Sequence, residues 1–438
     1  GRHDMESAAL ITNDAVLFGV LMVLLGLVFW TSSIKTGPIA GFYRIFPPLL
    51  LCYFLPSLLT TFGIADPDAS QLYYVASRYL LPAALVLLVV SADLPATLRL
   101  GPKALIMFFT GTLGVVVGGP LALLLASAIN PDLLGGSGPE EVWRGMATVA
   151  GSWIGGAANQ TAIREIFDVG PEVFSVWVAV DVLVANVWLA ILLFLAARRK
   201  QMDKALRADV SAIDDLQARA EAYEAQHARI PETRDLIIIG AVAFGAVAIA
   251  HFFSGLIAPG FSDMAASIRA EALETGRSPQ GFGLIVAESL ASGFFWLVAI
   301  ATAIGVALSF TPARKLQAVG AMKTGSVFIY ILVATVGLHM DITAIGEYWQ
   351  FFLIGLLWIA IHAALMLGVA FLIRAPIFFV AVGSQANIGG AASAPVVASA
   401  FSPSLAPVGA LLAVVGYIVG TYAAWFCGLV MASIAAGG

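Results

Sequence analysis

Two glycine-rich stretches decide the fold: residues 151–163 read GSWIGGAANQTAI, and residues 383–395 read GSQANIGGAASAP. IGGAAN at 154–159 matches IGGAAS at 388–393, an offset of 234 residues. Upstream, Asp93 and Asp341 each close an apolar segment, in the same order relative to these stretches. Two ordered matches indicate an internal duplication. We therefore predict a first repeat over 6–197 and a second over 235–438.

The rest of the chain is typical of a membrane protein. Apolar residues make up 60% of the 438 residues and charged residues 11%, against about one half and one quarter in soluble domains. Segments of about 20 apolar residues, enough to cross the hydrocarbon of a bilayer, recur along the sequence. They lie at about 13–31, 45–62, 76–93, 102–129, 145–167, 171–197, 235–258, 283–309, 318–339, 346–373, 376–400 and 405–434.

Three polar stretches fall outside these segments. Residues 198–234 carry charges of both signs and are predicted to form a solvated, helical, cytoplasmic linker that transport does not need. Residues 259–282 are predicted to be a shorter extracytoplasmic loop. Residues 1–5, GRHDM, resemble a cloning scar and are set aside.

Basic residues distinguish two membrane topologies. If all twelve segments cross, the halves are parallel. If the glycine-rich segment of each half re-enters, each half crosses five times and the halves are inverted. With the basic run 198–200 in the cytoplasm, the inverted topology also places Lys35, Arg44, Arg99 and Lys103 inside, as the positive-inside rule favours. This topology puts both termini outside an inner or plasma membrane. Glycine-rich segments that cross as broken helices are a third possibility.

Polar side chains accompany the glycines. Interrupted helices at matching positions of two halves indicate a transport site, because broken backbone is tolerated in a membrane where it is buried or lines a wet cavity. Packing through small residues is the alternative. The predicted helix-break glycines are Gly151, Gly155, Gly156, Gly383, Gly389 and Gly390, and the predicted substrate-binding residues are Ser152, Ser384, Gln385, Asn387 and Ser393.

One acid lies deep in a predicted span. Asp181 is about ten residues into segment 171–197, and an intramembrane acid is a functional candidate by default. We predict that it binds a cation, Na⁺ or a proton, together with Asn159, Gln160 and Thr161. The alternative is a structural carboxylate bonded to Asn186 or to a neighbouring helix.

The remaining polar residues are given structural roles. We expect His362 to be a packed, neutral histidine, and His251 and His339 to lie near segment ends. The repeated Asp93 and Asp341 are expected to be helix caps.

Several functions lack any sequence support. The chain contains no HExxH, GxSxG or GxxxxGK[ST] pattern, so we do not expect an enzyme or an ATP-driven pump. Cys52 and Cys427 both lie in apolar segments, so neither a metal site nor a disulfide framework is expected. Charge is confined to loops, and no nucleic-acid partner is expected.

A family resemblance rests on four stretches. LLPAALVLLVVSADL at 80–94, GSWIGGAAN at 151–159, the AVD that contains Asp181, and GSQANIGGAASAP at 383–395 resemble the YjcL-like membrane family of unknown function over nearly the whole chain. That family is similar to the clan of bile-acid:sodium symporters, glutamate:sodium symporters and cation/proton antiporters.

The resemblance implies two inverted repeats, a scaffold and a core with broken helices, a homodimer and elevator-like motion. It also implies that Gly151–Ser152 and Gly383–Ser384 mark the binding elements. Val182 departs from the family pattern, which often has a polar residue after this Asp. The single acid, where antiporters of the clan often have two, favours symport.

The sequence thus predicts an all-α polytopic membrane protein that carries a small organic solute by Na⁺-coupled symport. Two alternatives remain. One is proton coupling or Na⁺/H⁺ exchange through Asp181. The other is a membrane sensor or scaffold whose linker 198–234 contacts a partner. No cofactor is expected besides the coupling ion.

Overall fold

A computed structural model of the protein describes residues 9–136, 138–224, 230–275, 282–402 and 405–437, and these residues are predominantly helical. The first half contains α1 Asp14–Ser32, α2 Gly37–Ile45, α3 Pro48–Thr61, α4 Leu72–Val75, α5 Leu81–Val90, α6 Leu94–Leu98, α7 Pro102–Ile129, α8 Val142–Gly155, α9 Ala157–Ile166 and α10 Pro171–Ala197. After it come α11 Arg199–Ala205, α12 Ser211–Glu224, α13 Thr233–Glu274, α14 Phe282–Ala291, α15 Gly293–Ser309, α16 Ala321–Leu338, α17 Gln350–Ile373, α18 Ile377–Ile388, α19 Gly390–Phe401 and α20 Ala406–Gly437.

The helices confirm a multi-pass membrane protein. Among the described residues, eight helical spans are long and apolar enough to cross a bilayer, or up to ten if each of two bent helix pairs is one span. The bent pairs are Gly37–Tyr43 with Pro48–Thr61, at 90°, and Gly293–Ser309 with Pro312–Val319, at 96°. One span, Leu72–Val90, joins α4 to α5 through a π-helical turn, Ala76–Leu80.

Local sequence explains where many helices begin. Proline stands in the first turn of α7 and α10, where the missing N–H has no intrahelical acceptor to lose. The Asp93 carboxylate accepts from the Ala96 N–H at 3.0 Å, and the Asp341 carboxylate accepts from the Thr343 N–H at 2.9 Å. The prediction that both aspartates are helix caps is confirmed.

Each glycine-rich segment folds into a helical hairpin. In the first hairpin, α8–α9, the rings of Trp143 and Phe167 meet at 5.2 Å between centroids. In the second hairpin, α18–α19, the rings of Phe378 and Phe401 meet at the same distance. The start and the end of each segment therefore lie side by side, and the chain turns back at its tip.

The helix breaks lie at glycines with special backbone conformations. Gly156 separates α8 from α9 with a φ of 82°, and Gly390 begins α19 with a φ of 56°. Gly151 and Gly383, which the sequence analysis also gave as breaks, lie inside α8 and α18. They serve close packing instead: a Cβ on Gly383 would lie 3.0 Å from the Met107 carbonyl carbon.

The two hairpins approach α10 from opposite ends. At the base of the first hairpin, the Val173 N–H near the start of α10 donates to the Glu140 carboxylate. At the base of the second, Arg199, just after α10, donates to the Phe401 carbonyl at 2.7 Å. Their tips therefore meet alongside the middle of this 27-residue helix.

The helices form two packed groups. Helices α7, α10 and α20 pack with both hairpins and α17 packs with α7, α10 and α18, while α1, α3, α5, α13, α15 and α16 pack mainly with one another. We call the first group the hairpin bundle and the second the flanking bundle.

Two predicted polar segments differ from expectation. Helix α13 has 42 residues and continues to Glu274, so most of the predicted loop 259–282 is helical. The linker is helical as predicted, but it is not simply solvated, because Leu206 and Leu216 are buried. These isolated apolar residues anchor α11 and α12 against the hairpin bundle, a contact that periodicity could not reveal.

Candidate functional site

Helix α20 holds the tips of the two hairpins together. A Cβ on Gly416 would lie 2.6 Å from the Ile154 carbonyl oxygen of α8 and 3.1 Å from the Ala386 carbonyl oxygen of α18. The next residue, Tyr417, faces both breaks: Cβ atoms on Gly156 and Gly390 would lie 3.6 Å and 3.1 Å from its side chain. Close approach of three backbones thus requires glycine at Gly416 and places one phenol between the tips.

A cavity of about 410 Å³ lies between these tips and α16. Its deep end is formed by the two breaks, and its other end reaches the junction before α16, near Lys323. It is the point where the hairpin bundle faces the flanking bundle. Its lining consists of Leu49, Leu88, Ser152, Gly156, Ala157, Ala158, Gln317, Gly320, Met322, Lys323, Ser326, Ile329, Tyr330, Ile388, Gly389 and Tyr417.

Asp181 lies behind the first tip and is 3% exposed. Its carboxylate accepts from the Trp153 indole at 2.6 Å and from the Gln160 amide at 2.9 Å. The Ser152 hydroxyl faces the same carboxylate and also lines the cavity. Gln160 in turn accepts from the Tyr53 hydroxyl of α3 at 3.1 Å. A hydrogen-bonded chain thus links Asp181 to the flanking bundle, and Ser152 links it to the cavity.

The predicted ion-binding residues are only partly brought together. Gln160 bonds to Asp181, whereas the Thr161 hydroxyl donates to the Ala157 carbonyl of its own helix. Asn159 faces α20: in the orientation that satisfies its amide, it donates to Gly155 and accepts from Thr421. The carboxylate bonds to α8 and α9 rather than to Asn186, the structural partner considered from the sequence.

The second hairpin has a neutral polar centre at the matching depth. The Ser384 hydroxyl accepts from the Trp188 indole of α10 at 2.8 Å and lies 2.8 Å from His362 Nε2 of α17. His362 is buried, as predicted for a packed histidine. Because Asp181 and Trp188 are two turns apart on one helix, α10 presents one polar partner to each hairpin.

The other predicted substrate residues make internal contacts. Asn387 accepts from the Thr112 hydroxyl at 2.7 Å and donates to the Phe108 carbonyl at 2.9 Å, which fixes α18 to α7. Gln385 accepts from Ser393 at 2.7 Å across the second hairpin. Of the five predicted substrate-binding residues, Ser152 alone lines the described cavity.

An ion-paired cluster ties the end of α9 to the flanking bundle. Arg78 donates to Glu165 at 2.7 Å, Arg164 donates to the Tyr73 hydroxyl at 2.6 Å, and Tyr73 also bonds to Glu165. The π-helical turn supports this arrangement, because the Arg78 carbonyl lies 2.8 Å from the His251 ring nitrogen. We call Tyr73, Arg78, Arg164 and Glu165 the α9 latch.

The linker clamps the base of the second hairpin. The Asp203 carboxylate accepts from the Ile377 N–H at 2.8 Å and so caps α18, while Arg199 bonds to the end of α19. Burial raises the pKa of Asp203, although the bond from Ile377 opposes that change. The linker is therefore part of the hairpin bundle over α11.

Sequence reasoning missed several of these residues. Trp153 lies inside the GSWIGG motif, and its indole N–H is a possible hydrogen-bond donor to a buried carboxylate. This could have suggested Trp153 as a partner of Asp181. Lys323, Tyr417 and the latch residues carry no local signal, because each becomes relevant through a partner more than 80 residues away.

Two comparisons with known proteins cover almost all of this architecture. A family model described as "Protein of unknown function (DUF819)" matches residues 19–434. The "Uncharacterized membrane protein YjcL" of Bacillus subtilis (strain 168) is 24% identical over 382 residues, which is 85% of this chain and 86% of YjcL. The predicted resemblance to the YjcL-like family is confirmed, and the family match includes both hairpins, α10 and the cavity.

Proposed function

We propose that this chain, which belongs to the DUF819 family of proteins of unknown function, is a secondary active transporter that moves a small organic solute with a cation. The cavity between the hairpin tips carries the proposal. It lies where broken helices expose free backbone groups inside a membrane protein, which is the arrangement of a transport site. One wall is the hairpin bundle and the other is α16 of the flanking bundle.

The two bundles suggest how access alternates. We propose that the hairpins belong to inverted repeats and that the hairpin bundle moves as an elevator against the flanking bundle. The opposed entry of the hairpins along α10 supports the inversion. The α9 latch closes one end of the contact between the bundles, while the cavity extends toward the other end near Lys323. In this proposal the latch breaks when the protein changes to the state in which the cavity opens to the opposite side of the membrane.

The geometry at Asp181 favours a proton as the coupling ion. Both carboxylate oxygens accept N–H groups, from Trp153 and from Gln160. A protonatable carboxyl is compatible with such donors, whereas a bound metal ion needs oxygen ligands around it. We therefore place proton coupling through Asp181 first, and the Na⁺ symport predicted from the sequence second.

One observation favours sodium. The Ser152 hydroxyl faces Asp181 one turn before the break that ends α8. The last carbonyls of a helix have no intrahelical partner and can coordinate a hard cation beside a carboxylate. A rearrangement that turns these oxygens toward Asp181 would build a sodium site there.

Reconstituted protein can decide between these ions. Purified protein in liposomes is screened for uptake of labelled solutes under a pH gradient, a Na⁺ gradient, or neither. Uptake is measured directly, because one cation carried with a monovalent anion moves no net charge and gives no current. Uptake that follows the pH gradient and ignores Na⁺ supports the proton, and dependence on Na⁺ at equal pH supports sodium symport. Uptake that needs neither gradient, or no solute uptake at all, contradicts the coupled transporter and favours the sensor or scaffold alternative.

We also propose an orientation in the membrane and an assembly. The basic residues favour a plasma or inner membrane protein with residues 198–234 inside and both termini outside, and the family resemblance favours a homodimer. Single cysteines at Ser211 and Ser267, in a chain lacking Cys52 and Cys427, should react with an impermeant reagent from opposite sides of the membrane. Reaction of both from one side would exclude the inverted topology.

A further inference from the structure

We infer that the transported solute is a small organic anion with an apolar body, most simply a monocarboxylate, held between Lys323 and the hairpin tips. This inference rests on the proposed transport function, because it names the substrate class of the same cavity. Three features in or beside the lining point to a negatively charged ligand, and a fourth points to its apolar body.

Lys323 supplies the only full charge among the described residues that line the cavity. It is exposed, and no described carboxylate lies within ion-pair distance of its ammonium group. No aspartate or glutamate joins it in the lining. A cavity whose lining carries one positive charge and no negative charge attracts anions and repels cations.

Backbone donors occupy the deep end. The 10-residue α9 begins at Ala157, and Ala157 and Ala158 both line the cavity. The first N–H groups of a helix have no intrahelical acceptor, and no side chain caps this helix at Gly156. The 12-residue α19 likewise begins beside Gly389, another lining residue, without a side-chain cap.

An unpartnered amide lies at the second tip. Gln385 is 1% exposed, and its Nε2 has no hydrogen-bond partner within the described residues. Its side chain lies against the break, because a Cβ on Gly389 would be 2.8 Å from Gln385 Oε1. A buried N–H donor without an acceptor is costly, so an acceptor group of a ligand at this tip would relieve it.

Much of the remaining lining is apolar, with Gln317 and Ser326 as polar exceptions. Leu49, Leu88, Met322, Ile329 and Ile388 line the cavity, so a ligand with a charged group and a hydrocarbon or aromatic body fits better than a small inorganic anion. The volume of about 410 Å³ suits a metabolite-sized solute. Backbone donors at the tips, the positive charge of Lys323 and these apolar side chains together fit an amphipathic anion.

The first test measures the charge preference without any ligand. A single cysteine replaces Ser326, which lines the cavity, in a chain carrying Cys52→Ala and Cys427→Ala. Its rates of modification by a negatively charged and a positively charged methanethiosulfonate of similar size are compared. The ratio of anionic to cationic rates should exceed that at a Ser267→Cys control by about fivefold. Lys323→Gln should remove this excess, and Lys315→Gln, outside the cavity, should not.

The second test measures binding. Propionate, butyrate, lactate and benzoate are each compared with the corresponding amide by the melting temperature of purified protein, because a ligand of the folded state raises apparent stability. At least one carboxylate should stabilise the wild type and Lys323→Arg but not Lys323→Gln. Stabilisation by the amides alone, by none of the carboxylates, or equally in Lys323→Gln would overturn the inference.

The two proposals fail separately. If the proposed function is wrong, no solute uptake appears under any gradient, while the labelling ratio still reports the charge preference of the cavity. If the substrate class is wrong, the labelling excess is absent or survives Lys323→Gln, while uptake of neutral or cationic solutes still demonstrates transport.

Discussion

The two hairpins share a shape but differ in what they touch. The first presents its inner face to an acid, because Trp153 and Gln160 bond to Asp181, and its far end enters the ion pairs of the α9 latch. The second meets neutral partners, with Ser384 between Trp188 and His362. Its base is clamped by the linker instead of the flanking bundle.

This difference assigns separate tasks to two similar elements. The first hairpin connects the ionisable group, the cavity and the flanking bundle, so a change of protonation or ion binding at Asp181 can alter all three contacts. The second hairpin is fixed to α7 through Asn387 and to α11 through Asp203. We expect the first hairpin to couple transport to an ion and the second to move as a rigid part of its bundle.

The strongest way to break the comparison is Asp181→Asn with Ser384→Ala as its matched control. Each change leaves a buried N–H without its acceptor, since an asparagine amide cannot satisfy both Trp153 and Gln160. Each should lower the free energy of unfolding by about 1–3 kcal/mol. Asp181→Asn alone should abolish gradient-dependent solute uptake. Equal loss of coupling in both variants at matched stability would remove the functional distinction between the hairpins.

The break of the first hairpin should be the less tolerant one. Gly156 has φ 82° and ψ −170°, a region essentially restricted to glycine, so Gly156→Ala should cost about 1–3 kcal/mol. Gly390 has φ 56°, and Gly390→Ala should cost roughly 1 kcal/mol. Chemical unfolding of both variants in the same detergent measures the order. A larger loss for Gly390→Ala would show that contact with Tyr417 outweighs backbone strain.

Removing the linker clamp should affect the second hairpin alone. Asp203→Ala deletes the cap of α18 and should cost about 1 kcal/mol. Hydrogen exchange should accelerate in the first turn of α18, while α8 and α9 keep their protection. Asp209→Ala, which removes an exposed pair with Lys103, is the control and should change exchange little. Faster exchange in both hairpins would mean that the linker stabilises the whole bundle.

The smallest expected effect is a pH dependence at the α9 latch. The His339 ring lies 5.0 Å from the Tyr73 ring and bonds to the Thr335 carbonyl. Burial lowers the pKa of His339 below its usual 6.5, and Arg164 lowers it further, while the Thr335 bond, Asp68 and Glu165 oppose this.

The sign of the effect follows from that pKa. Because the unfolded chain takes up the proton first as the pH falls, the stability due to neutral His339 is complete above about pH 6.5. It is lost as the pH falls through the lower folded-state pKa. His339→Gln should therefore flatten the decline of the melting temperature from pH 7 to pH 5. An unchanged decline would show that other groups cause it.

Local chemistry made the membrane fold and the helix breaks predictable. Segment length follows from bilayer thickness, and glycines beside polar residues in an apolar segment indicate that a break lies in that segment. Which glycine breaks the helix was not predictable, since Gly151 and Gly383 stay helical. The caps at Asp93 and Asp341 were predictable for the same reason, since a cap bonds to backbone two or three residues away.

Partner choice was not predictable, because it depends on which face of a short helix meets which neighbour. Asn159, Gln160 and Thr161 are consecutive, yet they face α20, Asp181 and their own backbone, respectively. In the sequence, Lys323 at the end of an apolar segment gives information about membrane topology only. Its place in the cavity depends on the two hairpins, which lie elsewhere in the chain.

The 42 residues of α13 form a rod of about 63 Å, roughly twice the hydrocarbon thickness of a bilayer. Its polar end, beyond Pro259, therefore stands outside the membrane on the side of the first hairpin's base, where Arg269 pairs with Glu288 of α14. An antibody fragment or a rigid fusion attached there would be held by continuous helix rather than by a loop. In single-particle images, the attached protein would project beyond the detergent micelle and would help to determine the orientation of each particle.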